Sequence, residues 1–223
     1  MNYVDMISPK EGLDNAEPRV ALVGSPHHSL GVALCRHLAL QGVRLVITDP
    51  DPVRGAAVCR RLAWQGVSAS YRYFSAESHQ CEQRLFDDLS LVFGRLDWLI
   101  NFFDVAPFEP DWLALDDQQV RHLLMPQLEF RRRLLRAMDP LFVQGATHLQ
   151  VCLGGAGDAA VGTDVGSASA LLWDRLLNRS YRSQRIRIQT LSVQGDGEPT
   201  GGAARTSGGI ECDLSRLIHA LDS

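Results

Sequence analysis

Lysine is almost missing from this chain: of its 22 Lys and Arg residues only Lys10 is a lysine, and it lies before the first apolar run. Any chemistry that needs a lysine inside the folded core is left without one. Long hydrophobic runs are missing too. No stretch approaches the roughly 20 apolar residues that span a bilayer, and the polar N-terminal residues, with Asp5, Lys10, Glu11 and Asp14, carry no apolar signal segment. Neither export nor membrane insertion is indicated, and a cytoplasmic location is expected. There is no excess of positive charge: the formal net charge is −4 and the sequence pI is near 6.0. Nucleic acid and anionic membranes, which select basic surfaces, are therefore not expected partners. Five cysteines, Cys35, Cys59, Cys81, Cys152 and Cys212, include no C-x-x-C pair. Odd in number and widely spaced, they read as reduced thiols rather than as a disulfide frame or a zinc site.

What is present is enough apolar material, 45% of 223 residues, to bury one sizeable core. Apolar runs of strand length alternate with segments of helical period, the pattern of an α/β fold with a parallel sheet covered on both faces. Strands are expected at 20–23, 45–48, 68–74, 98–102, 148–153 and 186–193, and helices from about Leu30 to Gly42 and at 52–64, 77–93, 116–138, 167–179 and 213–221. Leu30, Leu34 and Leu38 recur at i, i+4 and i+8, which places them on one helix face. Pro52 opens its helix where a missing N–H is harmless, whereas Pro126 falls inside one and predicts a kink. Residues 1–18 read as a flexible leader, 19–195 as the domain, and 196–223 as a glycine-rich loop followed by a short helix.

Three places along this order carry a resemblance. Gly24, Ser25, Pro26, His27, His28, Ser29, Leu30 and Gly31 follow the first strand, Asp49 closes the second, and Asn101 lies in the fourth. Laid without a gap on a Thr-Gly-x-x-x-Gly-x-Gly turn and an Asn-Asn-Ala-Gly segment, they resemble the short-chain dehydrogenase/reductases, over roughly residues 19–195. The resemblance implies a Rossmann-type doubly wound sheet of about six strands and a dinucleotide site built from Gly24, Ser25, Ser29, Leu30, Gly31, Asp49 and Asn101. Only Gly31 of the three glycines is kept. Ser25 and Ser29 stand in the other two glycine places, where a Cβ obstructs approach of the backbone to a pyrophosphate. Asp49 would accept hydrogen bonds from the adenosine ribose and repel a 2′-phosphate, favouring NAD over NADP; as an ordinary residue it would be a solvated strand-end acid in an Asp-Pro-Asp turn. Phe103 and Asp104 replace the family's Ala-Gly, and Ser75 replaces an acid at the adenine side, so any NAD binding is expected to be weak.

The family's catalytic set is poorer still. Its serine falls at Gly154, its Tyr-x-x-x-Lys pair at about Gly166 and Ala170, and its asparagine at Gln127. None of the four matches. Tyr3, Tyr71, Tyr73 and Tyr181 are followed four residues later by Ile7, Ser75, Glu77 and Arg185, so no shift of alignment restores the pair. The expected function is a catalytically silent binding or regulatory protein. The alternatives are an NAD-dependent oxidoreductase with relocated groups and a small-molecule sensor that uses the cofactor crevice. By the same resemblance, helices 123–138 and 167–179, with Leu124, Leu128, Leu134, Leu135, Leu171 and Leu172, would pair with a second copy in a homodimer. Adjacent His27 and His28 have no accompanying ligands at metal spacing. Arg131, Arg132, Arg133 and Arg136 read as a solvated or subunit-facing helix side.

Overall fold

The computed structural model describes residues 17–75, 79–105, 116–154, 186–194 and 207–222. Its six-stranded sheet has the order β3-β2-β1-β4-β5-β6, with all adjacent pairs parallel. The strands are β1 (Val20–Gly24), β2 (Arg44–Asp49), β3 (Ala69–Tyr73), β4 (Leu96–Val105), β5 (Phe142–Gly154) and β6 (Arg187–Gln194). The helices are α1 (Ser29–Leu40), α2 (Pro52–Trp64), α3 (His79–Val92), α4 (Asp117–Met138) and α5 (Ser207–Asp222). This is the expected doubly wound α/β architecture.

Local chemistry explains the joins. Asp51 caps α2 by accepting from the N–H groups of Val53 and Arg54, and Pro52 occupies the first turn. Helix α1 ends where Gly42 takes φ +78° and Val43 N–H bonds back to the Leu38 carbonyl, a Schellman closure. Helix α2 closes in the same way through Gly66 and Val67. These turns deliver the chain to the N-terminal edge of the sheet, so the C-terminal ends of β1, β2 and β4 and the loops after β1 and β2 lie at the opposite edge.

The strands alternate sides and build two cores. Against α1, α2 and α5 lie Ala21, Val23, Leu45, Ile47, Ile100 and Val151, with Leu34, Leu38 and Leu62 from the helices. Against α3 and α4 lie Val20, Leu22, Val46, Leu96 and Leu99, with Leu85, Leu89, Leu134 and Leu135. Each face therefore reads out one parity of a strand, except in β4, where the irregularity between Leu96 and Trp98 puts Leu96 and Leu99 on the same side.

Four expectations need correction. Strands β4 and β5 are longer than the apolar runs at 98–102 and 148–153, because pairing continues through polar positions; a register irregularity lies between Leu96 and Trp98, and Gly145 takes φ +83°. The last helix begins at Ser207 rather than at 213 and contains Gly208 and Gly209. Leu217, Ala220 and Leu221 are buried in the α1-side core, and this packing outweighs glycine's poor helix propensity. Arg131 and Arg133 are not solvated but buried: Arg131 lies on the inward face of α4 with Leu134, Leu135 and Met138, and Arg133 pairs with Glu82 of α3. Leu134 and Leu135 are accordingly core residues of this chain, not part of a face for a second copy. Helix α4, from Asp117 to Met138, has Pro126 in its interior. The leader at 1–16, the helix at 167–179 and the loop at 195–206 lie outside the described residues.

Candidate functional site

The chain leaves β1 in one direction across the sheet, through β2 to β3, then returns to β4 on the other side of β1. The crevice at the C-terminal ends of β1 and β4 is the switch point where such sheets hold ligands. Gly24 ends β1 there, opposite Thr48 of β2 and Asn101 of β4. A Cβ on Gly24 would stand 2.5 Å from Oδ1 of Asn101, so Gly24 and Asn101 are matched by close packing.

Ser25 turns the chain with φ +51°, the one left-handed non-glycine among the described residues, and its N–H bonds to the Thr48 carbonyl at 2.8 Å. This is a glycine's backbone with serine's Cβ. Gly31 lies in the first turn of α1, where a Cβ would meet the Cα and O of Pro26 at 2.8 and 2.9 Å; the loop lies directly upon the helix. Ser29 opens α1, whose N-cap His28 supplies no side-chain acceptor. Leu30 is 1% exposed and belongs to the core; of this residue only backbone could face a ligand.

Asp49 ends β2, as expected, but it is 1% exposed and not solvated. Its Oδ1 accepts from Asp51 N–H at 2.8 Å and from the Arg54 guanidinium at 3.2 Å. Its Oδ2 is buried without a hydrogen bond and lies 3.9 Å from Nδ1 of His27, whose ring is 4.2 Å from that of His28. Tyr71 donates to the Asp49 carbonyl at 3.0 Å and packs on Gly55, where no larger residue fits. Burial pushes the Tyr71 hydroxyl above its ordinary pKa, and the Asp49 charge adds to this. Sequence reasoning selected Asp49 but missed Arg54 and Tyr71. The signal for Arg54 was its position three residues after the N-cap Asp51.

Beneath the crevice a row of polar side chains crosses the face covered by α4. Thr48, Gly24, Asn101, Gln150 and Thr190 are successive neighbours in register across five strands. Asn101 Nδ2 approaches Nε2 of His148 at 3.3 Å, and Arg131 reaches from α4 to donate to Gln150 Oε1 at 3.2 Å. His148 is pushed down to about 3, first by burial and then by the Arg131 charge, so its imidazole is neutral. Thr48 Oγ1, Asn101 Oδ1, His148 Nδ1 and Gln150 Nε2 are buried without a hydrogen bond among the described residues. Of this group only Asn101 was legible as a site residue.

Of the family's catalytic places, Gly154 is the last residue of β5, beside Val105 and Gln194. Gln127 lies in α4, and 166 and 170 lie outside the described residues. No group of three or more His, Cys, Asp or Glu that could hold a metal occurs among the described residues, and no helix among them is long and apolar enough to cross a membrane.

No family model and no curated protein matches the sequence. Solved structures do match in fold. A double mutant of a Serratia marcescens short-chain dehydrogenase/reductase superposes with a TM-score of 0.68 at 18% identity, over 90% of this chain and 89% of that one. A Burkholderia phymatum short-chain dehydrogenase/reductase in complex with NAD gives 0.64 at 15% identity, over 93% and 80%. The Pseudomonas aeruginosa RhlG/NADP active-site complex gives 0.64 at 16% identity, over 87% and 80%. What this chain shares with them is the six-stranded short-chain dehydrogenase/reductase fold.

Proposed function

We propose that this chain is a catalytically silent protein of short-chain dehydrogenase/reductase type, a binding or regulatory protein with weak affinity for NAD. One observation carries the reading: the chain has a single lysine, Lys10, placed before β1, so no Tyr-x-x-x-Lys pair exists anywhere in it. In that chemistry the lysine lowers the tyrosine pKa, and without it the proton donor is not tuned to neutral pH. Gly154 at the end of β5 supports the reading, because glycine has no hydroxyl with which to polarise a substrate oxygen.

A dinucleotide held in the ordinary way does not fit the residues present. The α1 N-terminus still offers backbone N–H groups to an anion. At the ribose end, however, Asp49 Oδ1 is occupied by Asp51 and Arg54, and its buried Oδ2 lies behind the His27 loop. Binding would require that loop to move. The remaining Asp49 charge favours NAD over NADP, an effect reduced by the Arg54 guanidinium. A homodimer in the cytoplasm completes the proposal; Leu124 and Leu128 of α4 would contribute to its interface.

Calorimetric titration with NAD, NADH, NADP and NADPH tests the binding half. Dissociation constants weaker than about 1 mM are expected, and tighter NADP(H) than NAD(H) binding would refute the role given to Asp49. NADH absorbance followed over ketones, aldehydes and quinones tests the silence. Turnover of about 1 s⁻¹ or more, the ordinary enzyme range, would replace this reading by an oxidoreductase with relocated groups. A small-molecule sensor is the second reading, favoured by the polar row beneath the crevice. It predicts that a non-nucleotide ligand raises the melting temperature and that Asn101→Leu abolishes the rise.

A further inference from the structure

At the N-terminal edge of the sheet, opposite the crevice, a cavity of about 480 Å³ is lined by Leu40, Val43, Arg44, Val67, Phe93 and neighbouring backbone. The closing turns of α1 and α2 and the end of α3 frame it. Around this opening the chain exposes large apolar side chains that folding alone would bury: Leu40 is 74% exposed, Trp64 87%, Leu91 88% and Val92 52%. Leu40 lines the cavity; Trp64 lies two residues before its Gly66, and Leu91 and Val92 directly precede its Phe93.

Charge gives the occupant's chemistry. Arg44 lines the cavity, Arg60 and Arg61 lie in the end of α2, and Arg36 lies one turn before the end of α1. All four are exposed, and none makes an ion pair among the described residues, in a chain of net charge −4. Two neighbouring cations of this edge are engaged: Arg95 bonds to Asp97 and Glu17, and Arg19 lies over the Trp98 ring at 4.6 Å. A helix C-terminus accounts for Arg61 through its dipole, but Arg44 begins a strand and has no such reason. Tryptophan and arginine beside a concave apolar surface are the composition of interface hot spots. A flat bilayer cannot enter a cavity, whereas a single side chain can.

We infer that this edge is a docking site for an acidic peptide segment of a partner protein, which places an aromatic or aliphatic side chain in the cavity and carboxylates on Arg44 and Arg61. The inference is independent of the reading given to the crevice.

Selection of a random dodecapeptide phage library on the full chain tests it. Enriched peptides should be net acidic with Trp, Phe or Leu anchors, and synthetic copies should bind more weakly as salt rises. Trp64→Ala should weaken them roughly tenfold or more, and the double change Arg44→Glu with Arg61→Glu should weaken them and flatten the salt dependence. Val53→Arg, at the opposite end of α2, should leave binding unchanged. All these residues are exposed, so folding is not at stake, and thermal unfolding of each variant verifies this. The proposal is overturned by no enrichment, by neutral or basic winners, or by binding that survives the Trp64 and arginine variants. It is equally overturned if the protein binds vesicles of phosphatidylcholine with one third phosphatidylserine and no peptide, or if a reversible dimer dissolved by Leu91→Arg occupies the edge and no peptide displaces it.

Discussion

The two faces of the sheet are built from the same strands yet differ in kind. Toward α1, α2 and α5 the inward residues are hydrocarbon along most of the strands, from Ala21 and Leu45 to Phe102 and Leu153, with Thr147 and the strand-end Asp49 as buried polar exceptions. Toward α3 and α4 the face changes halfway: Val20, Leu22, Val46, Leu96 and Leu99 give way to Thr48, Asn101, His148 and Gln150, with the Arg131 guanidinium above Gln150. Buried polar atoms without partners cost about 1–3 kcal/mol each, so a core built only for stability would omit them. The uniform face supplies cohesion. The divided face holds polar groups one layer below the crevice, where Asn101 meets His148 between β4 and β5 and Arg131 joins α4 to Gln150 of β5.

Cutting into the uniform face should have the largest effect. Leu34 is fully buried between α1 and the sheet, and Leu34→Ala is expected to cost about 3 kcal/mol, within the 2–5 kcal/mol range for such truncations. The loss should be the same at pH 5 and pH 7.5, because no titratable group takes part. Urea unfolding at both values measures it, and a cost below about 1 kcal/mol would mean that this face is not the main source of cohesion.

The same contrast decides what could be read in advance. Where side chains are hydrocarbon and periodic, as at Leu30, Leu34 and Leu38 or Val20 to Val23, element type and order were legible, since only one pattern buries them. The limits of β4 and β5 were not, because hydrogen bonding between strands continues through Asp104 and Thr147, whose side chains carry no apolar signal. In the candidate site, Gly24, Ser25, Gly31, Asp49 and Asn101 could be chosen by position along the chain. Their partners could not: Arg131 pairs with Gln150 across 19 residues and Asn101 meets His148 across 47, and such contacts depend on strand register. Asp49 shows the limit most clearly, since its place was right but its burial and its bond to Arg54 come from the turn that follows.

Titration should break the divided face selectively. His148 ordinarily holds its proton below about 6.5, but in the fold burial and Arg131 lower this to about 3. Between those values the unfolded chain binds a proton that the folded chain does not. This contribution to stability is therefore complete above about pH 6.5 and falls by about 1.4 kcal/mol per unit below it, reaching a loss of about 2 kcal/mol at pH 5. His148→Gln removes the titration. Comparing urea unfolding of the two proteins at pH 7.5 and pH 5 cancels the other histidines, and equal losses in both would show that His148 is not held neutral by the fold.

The smallest effect belongs at the junction of the two faces, where β1 ends and Ser25 takes its left-handed turn. A non-glycine residue there costs about 1–2 kcal/mol, and replacing it by glycine returns about 0.5–1 kcal/mol of that through the greater freedom of the unfolded chain. Ser25→Gly should therefore stabilise the protein by roughly 0.5 kcal/mol, and Ser25→Ala, which keeps the Cβ, should not. Matched denaturation curves distinguish the two outcomes. If glycine stabilises and also tightens NADH in calorimetry, the Cβ at this turn obstructs both the backbone and the nucleotide. If glycine destabilises, the hydroxyl contributes more than the backbone strain removes, and the turn is adapted to serine rather than degraded from glycine.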